Sequence, residues 1–217
     1  MPKVSGGAGA RRPGAPRPRH GVDGGRPFLK PDAELVQAVL AGDRAQFAVL
    51  VERYQREIFN LAYRSTHHRE DAEDITQETF LRAFRGLGSY DPARPLRTWL
   101  YTIAVNVCRD WARRRGSRPS TVELVESDGV RVAEAAPQPH EVAAQKETRL
   151  AVEAAVMQLE PDYRLPVILF YMRGVPQAEI AEIMGVPLSI VKNRLFRARR
   201  RLRTMLEDLL EEATVNE

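Results

Sequence analysis

A single cysteine, Cys108, is all that the 217-residue chain contains, which excludes an internal disulfide and any cysteine-rich zinc site. A reducing compartment is the expectation. No apolar run is long enough to cross a bilayer, and the first residues lack the hydrophobic core of a signal peptide. A soluble, cytoplasmic protein is therefore expected. No GxxxxGK(S/T) loop is present to cradle a nucleotide phosphate. Histidine is scarce: of four, His67 and His68 are adjacent and point to different faces, with no carboxylate cluster beside them. A metal-dependent nuclease needs clustered carboxylates and an open coordination position, so the pair reads as solvated turn residues. No catalytic site, metal, cofactor or small-molecule substrate is expected.

What is present is charge, and it is sorted along the chain. Lys and Arg number 33 against 29 Asp and Glu, a net of +4. That modest total hides local excesses, and a local basic patch is what a phosphate backbone feels. The hydrophobic fraction of 43% is ample for a core. Residues 1–30 are Gly, Pro, Ala and Arg with almost nothing apolar, so they are expected to be a disordered basic tail. Arg11, Arg12, Arg17, Arg19 and Arg26 face one acid there, Asp23. The tail reads either as an arm adding non-specific nucleic-acid affinity or as a dispensable extension.

Helical periodicity starts near Pro31. Leu35, Val36, Val39 and Leu40 form one stripe before Gly42. Phe47, Leu50, Val51, Tyr54, Ile58, Leu61 and Ala62 form a longer one at the three-and-four spacing of a helix. Ala72, Ile75, Thr79, Phe80, Ala83 and Phe84 mark a third helix, and Leu96, Leu100, Ile103, Ala104, Val107 and Trp111 a fourth. Between the last two, residues 86–95 read as a loop. The alternation expected of strands is missing throughout this stretch. Residues 116–140, rich in Pro, Gly and acids, read as a linker, and helical signal resumes to about residue 213. The expected fold is all-α: two small helical domains, 31–115 and 141–213, joined by a flexible linker, the second containing a helix-turn-helix.

That second domain carries the sharpest local signal. Residues 175–184 read as a short helix opened by Pro176 and closed by Gly185, and a longer helix follows Pro187. Two helices across a tight glycine-containing turn make a helix-turn-helix. In the longer helix Val191, Leu195, Ala198, Leu202 and Met205 would face the core. From Lys192 to Arg203 there are bases and no acid, whereas a merely solvated face normally mixes both signs. Ser189, Lys192 and Asn193 near the helix start suit base edges, and the later arginines suit phosphates.

The first domain holds a second constellation. Glu70, Asp71, Glu73, Asp74 and Glu78 gather at the start of its third helix, where the macrodipole alone would stabilise them. Tyr90, Arg94, Arg97, Trp99, Tyr101 and Asn106, followed by Arg109, Arg113, Arg114 and Arg115, interleave rings with bases. That mixture suits single-stranded nucleic acid, although Trp99 and Tyr101 read equally as core residues.

Three motifs in order carry a family resemblance: Asp71-Ala72-Glu73-Asp74-Ile75-Thr76-Gln77-Glu78-Thr79-Phe80, then Pro95-Leu96-Arg97-Thr98-Trp99-Leu100-Tyr101-Thr102-Ile103-Ala104, then Val191-Lys192-Asn193-Arg194-Leu195-Phe196-Arg197-Ala198-Arg199. Over about residues 31–210 the chain resembles the extracytoplasmic-function (ECF) class of bacterial RNA polymerase sigma factors. The resemblance implies an alternative sigma factor that binds core RNA polymerase, recognises minus-35 and minus-10 promoter elements and helps open the DNA. It implies contacts to the largest and second-largest polymerase subunits, with Asp71, Asp74, Gln77 and Glu78 docking on a coiled coil of the largest. Ser89, Tyr90, Asp91, Arg94, Arg97, Tyr101, Asn106, Arg109 and Arg113 would meet minus-10 DNA. Ser189, Ile190, Lys192, Asn193, Arg194, Arg197 and Arg200 would meet the minus-35 element. An anti-sigma protein is implied as a further partner.

The chain departs from the family where Pro176 and Pro187 replace the usual Ser caps. It departs again where Ser189-Ile190 and Asn193 stand near the base-reading positions, which implies an altered minus-35 preference. The rival reading is an autonomous helix-turn-helix regulator. It accounts for the second domain and leaves the acidic helix and the aromatic-basic loop of the first without a purpose.

Overall fold

A computed structural model describes residues 30–116 and 139–215, with side chains described for 30–115 and 148–207. The expected basic tail and most of the expected linker lie outside these residues. Among the described residues there are eight α-helices and no strand, so the all-α expectation holds.

The first four helices are α1 (Asp32–Leu40), α2 (Ala45–Thr66), α3 (Arg69–Gly86) and α4 (Leu96–Gly116). Helix α1 is pinned at its start by Asp32, which accepts hydrogen bonds from Arg53 and from the Tyr54 hydroxyl of α2. Leu35, Val36 and Val39 are buried, but Leu40 is 50% exposed, a correction to the expected stripe. At about 100° per residue, a helix ending there turns Leu40 outward once Val39 points in. The break between α2 and α3 is made by the two histidines. His67 closes α2 in the left-handed region at φ 55°. His68 caps α3, its Nδ1 accepting from the Asp71 amide at 3.4 Å. Both are half-buried turn residues.

Helices α5 (Pro139–Gln158), α6 (Pro161–Val167), α7 (Gln177–Met184) and α8 (Leu188–Val215) form the second half. Pro166 sits inside α6, and the chain continues as one π-helical turn over Ile168–Met172. A proline in the helix interior has no N–H for the usual bond, and the wider turn lies just beyond it. Pro176 precedes α7 as its N-cap, one position earlier than the sequence reading placed it. Gly185 ends α7 at φ 64°, and the Val186 amide reaches back to the Ala181 carbonyl at 3.0 Å. That six-to-one bond is a Schellman closure. The helix-turn-helix geometry follows from it, because only three residues separate the end of α7 from the start of α8.

The two expected helical domains are present, and they pack on each other. Helix α4 packs on α2 and α3 along one side and on α7 and α6 along the other. One continuous core runs from Leu35 through Tyr101, Val105 and Cys108 to Ile180, Val191 and Ala198. This explains why α4 is buried beyond the single face its periodicity marks: Tyr101, Val105 and Cys108 are buried as well, Tyr101 meeting both Glu57 of α2 and Arg173 of the second half.

Candidate nucleic-acid interface

Three faces bear on function, and the first is the outward side of α8. Val191, Leu195 and Ala198 are buried, which fixes the roll of the helix. Ser189, Ile190, Lys192, Asn193, Arg197 and Arg200 are then all exposed. Arg194 is turned inward instead: its Nη2 donates to Asp162 Oδ2 at 2.7 Å, and its side chain is 20% exposed. The sequence reading missed Phe196, which is 61% exposed on the same outward face. An apolar ring amid bases suits the methyl group of thymine. The signal was legible, because Phe196 falls outside the spacing of Val191, Leu195, Ala198 and Leu202.

The second face belongs to α4 and the loop before it. Ser89, Asp91 and Arg94 are exposed, and the turn is held by the Tyr90 hydroxyl, which donates to the Arg94 carbonyl at 2.5 Å. Tyr90 lies against Trp99 with ring centroids 5.3 Å apart. Trp99 is half-buried against the core and so answers both readings of it. Asn106 and Arg113 face solvent, Arg113 with Asp110 as an ion-pair partner at 2.9 Å.

The rest of that face is covered. Tyr101 is fully buried, its hydroxyl donating to Glu57 at 2.9 Å and accepting from Arg97 at 3.3 Å and Arg173 at 3.2 Å. Burial would raise the Glu57 carboxyl, but Arg97, the Tyr101 hydroxyl and Arg173 outweigh it and hold the group below the usual glutamate range. Burial pushes the Tyr101 phenol up. Thr98 donates to Glu179 of α7 at 2.7 Å. Arg109 donates to the Met184 carbonyl at 3.3 Å and lies 3.6 Å from Asp162. Its guanidinium is lowered by burial, against the pull of Asp162.

The third face combines α2 and α3. The four acidic-helix candidates divide there. Asp71 accepts from the Trp111 indole at 3.0 Å and from Arg115 at 2.6 Å, tying α3 to the end of α4. Glu78 accepts from Arg82 at 2.7 Å, and Arg82 also donates to Asp110. Asp74 and Gln77 are exposed. Gln77 lines an apolar groove of about 680 Å³ between the two helices, floored by Phe47, Val51, Phe59 and Phe80. Leu81 and Phe84 edge it at 43% and 37% exposure. The expectation that Phe84 lies in the core is corrected: it meets Phe47 edge-on at 5.0 Å and leaves its other side open. Apolar periodicity cannot tell a core position from a docking position.

Among the described residues, no helix is long and apolar enough to cross a membrane. None of their His, Cys, Asp and Glu side chains forms a group of three able to hold a metal ion.

Comparison with known proteins gives these faces a context. Residues 50–118 match the family model of sigma-70 region 2, and residues 149–202 match that of sigma-70 region 4. The RNA polymerase sigma-H factor of Pseudomonas aeruginosa is 33% identical over 187 residues, spanning 84% of this chain and 97% of that protein. The ECF RNA polymerase sigma factor SigM of Mycobacterium tuberculosis is 38% identical over 183 residues, 84% of this chain and 88% of that one. Among solved structures, CnrH in complex with the cytosolic domain of CnrY aligns at TM-score 0.59 and 25% identity, over 82% of this chain and 97% of that one. RpoE of Bartonella quintana, solved with the anti-sigma factor NepR, shares the fold at TM-score 0.56 and 24% identity, over 74% of this chain and 96% of that one.

Proposed function

This chain belongs to the ECF RNA polymerase sigma factors and is an alternative sigma factor; from that premise we propose how its parts divide the work. Residues 31–115 bind core polymerase and take up the minus-10 element, residues 141–213 read the minus-35 element, and residues 116–140 connect them. Polymerase performs the chemistry, and this protein supplies the address and assists strand opening.

Asp74, Gln77 and the apolar groove beside them dock on a helical coiled coil of the largest polymerase subunit, with further contacts to the second-largest. Leu81 and Phe84 supply the apolar anchor, and Asp74 sets the charge. Asp71 and Glu78 act from behind by holding α3 on α4, through the Trp111, Arg115 and Arg82 bonds. Ser89, Tyr90, Asp91 and Arg94 form the rim that takes an unstacked base. Arg97, Asn106, Arg109 and Arg113 hold the melted strand and its phosphates; Tyr101, expected there too, is buried and instead positions Arg97 through its hydroxyl. On α8, Ser189, Ile190, Lys192, Asn193 and Phe196 read base edges in the major groove, while Arg194, Arg197 and Arg200 hold phosphates. An anti-sigma protein is the further proposed partner, the kind of protein with which RpoE of Bartonella quintana was solved.

The observation that carries this reading over an autonomous regulator is the open groove edged by Leu81 and Phe84 of α3, the helix that also carries the exposed Asp74. A protein that needs only duplex DNA has no use for it. The test is binding of fluorescently labelled protein to core RNA polymerase. Leu81→Asp and Asp74→Arg are each expected to weaken binding at least tenfold while the far-ultraviolet circular dichroism stays unchanged. Equal affinity for both variants and the unaltered chain would remove the groove from the account.

A further inference from the structure

The basic excess of this chain lies ahead of its first helix. Residues 1–29 hold Lys3, Arg11, Arg12, Arg17, Arg19 and Arg26 against Asp23, a net of +5. The whole chain carries +4, so residues 30–217 together carry −1. The helices therefore bring no net positive charge of their own to a phosphate backbone.

The face formed by α4 and the loop before it shows the same shortage locally. Arg97 pairs with Glu57 at 2.9 Å, Arg113 with Asp110 at 2.9 Å and Arg115 with Asp71 at 2.6 Å. Arg94 lies 4.0 Å from Asp91. Each of these cations would meet a phosphate with part of its charge already neutralised. The six bases of residues 1–29 share a single acid.

The point at which those residues join the fold is fixed. The Lys30 carbonyl accepts from Arg53 Nη2 at 2.8 Å, and Asp32 accepts from Arg53 and from the Tyr54 hydroxyl. Helix α1 packs on α2 and on the tight turn Leu87–Ser89, which leads into Tyr90. The Tyr90 phenol is raised by burial and then by the charges of Asp32 and Asp91, so Asp32 stands within electrostatic reach of that loop. Residues 1–29 thus leave the fold beside the loop assigned above to the unstacked base.

Resting on that minus-10 role, we propose that residues 1–29 are a phosphate-binding arm, whose bases grip the promoter backbone beside the minus-10 element and bring the positive charge that the helices lack. A glycine-rich chain of 29 residues spans about 30 Å root-mean-square. At about 3.4 Å per base pair, that is about nine base pairs from Lys30. Each base neutralising a duplex phosphate steepens the salt dependence by about 0.9, so half of the six in contact at once contribute about 3. The grip is independent of sequence, because phosphates carry none.

The experiment compares the full chain with a variant combining Arg11→Gln, Arg12→Gln, Arg17→Gln, Arg19→Gln and Arg26→Gln. Both are bound to core polymerase, and affinity for a promoter duplex is measured between about 50 and 200 mM salt. The variant is expected to lose about tenfold in affinity at the low-salt end and about 3 in the slope of log affinity against log salt. A slope change below about 1 overturns the arm. Weaker binding to core polymerase without DNA would place the arm on polymerase, and also overturns it. The location is read by Ser5→Cys carrying an iron chelate that cuts nearby DNA. Cys108 is 1% exposed and its thiol is pushed up to about 12 by burial, so the new thiol takes the label. Cuts are expected within about nine base pairs of the minus-10 element and should vanish in the five-glutamine background. Cuts centred on the minus-35 element overturn the placement. Should the unaltered complex start transcription at no promoter, the minus-10 reading fails. Binding of the free chain to a random duplex, with and without the five arginines, then still judges the arm.

Discussion

The outward side of α8 and the inward side of α4 carry the same chemistry, arginines with an aromatic ring among them, yet the structure treats them in opposite ways. On α8, Lys192, Asn193, Phe196, Arg197 and Arg200 project into solvent. On α4, Tyr101 is buried, and Arg97, Thr98 and Arg109 are engaged by Glu57, Glu179, Met184 and Asp162. The difference teaches that residue type marks a candidate nucleic-acid face, whereas its availability is set by what packs on it.

The largest test of that contrast removes the support of the covered side. Arg164 of α6 donates to the carbonyls of Ser65, Met157 and Leu159, bridging the halves from below Cys108. Arg164→Ala strands these acceptors, and at about 1 kcal/mol or more each it is expected to lower unfolding free energy by about 3 kcal/mol in urea titrations. A loss under about 1 kcal/mol would mean that these bonds, of which the one to Ser65 crosses between the halves, add little to the fold.

Substitutions on the open side should leave stability alone and act on DNA. Asn193→Ala or Phe196→Ala is expected to cost about 2 kcal/mol in discrimination between a preferred minus-35 duplex and a scrambled one, measured by competition in the polymerase complex. Uniform weakening across sequences would instead make these residues phosphate contacts.

A smaller effect is expected at the buried hydroxyl. Tyr101→Phe removes one group serving Glu57, Arg97 and Arg173 and should cost about 1 kcal/mol of stability. Its pH dependence has a definite sign. The Glu57 carboxyl is held below its ordinary range in the folded chain, so its contribution is present above the ordinary glutamate pKa and is lost as pH falls through the lowered value. Tyr101→Phe removes one of the groups that lower it, so acid unfolding of the variant should begin at higher pH than in the unaltered chain.

Smallest of all is Arg200→Ala. It should weaken DNA binding equally for all sequences and reduce the slope of log affinity against log salt by about 1. A sequence-dependent effect would move Arg200 among the base readers.

Much of this fold was legible because helices write a period of 3.6 into the chain. Ile58, Leu61, Ala72, Ile75, Leu100, Ala104, Val191 and Ala198 are all buried where periodicity placed them. Gly185 announced its turn for a similar reason, since a left-handed residue suits glycine. The failures share a cause. Tyr101 meets Arg173 across 72 positions, Cys108 lies near Ser65 and Arg164, and Arg109 meets Asp162 across 53 positions, so nothing local in the sequence records these contacts. Leu40 and Phe84 show the converse, apolar residues that continue a stripe and yet face outward. For the candidate site, the acid-free basic stretch of α8 was legible and its residues are exposed apart from Arg194; the engagement of Asp71, Glu78 and Arg194 by partners within the chain was not.

The central claim is that this chain directs core RNA polymerase to promoters through the α2–α3 groove. Run-off transcription from a supercoiled promoter library, with matched core polymerase, tests it most directly. The account predicts specific transcripts that appear only when the protein is added and vanish for Asp74→Arg. Absence of such transcripts, together with a footprint of the protein alone on a duplex operator, would contradict it.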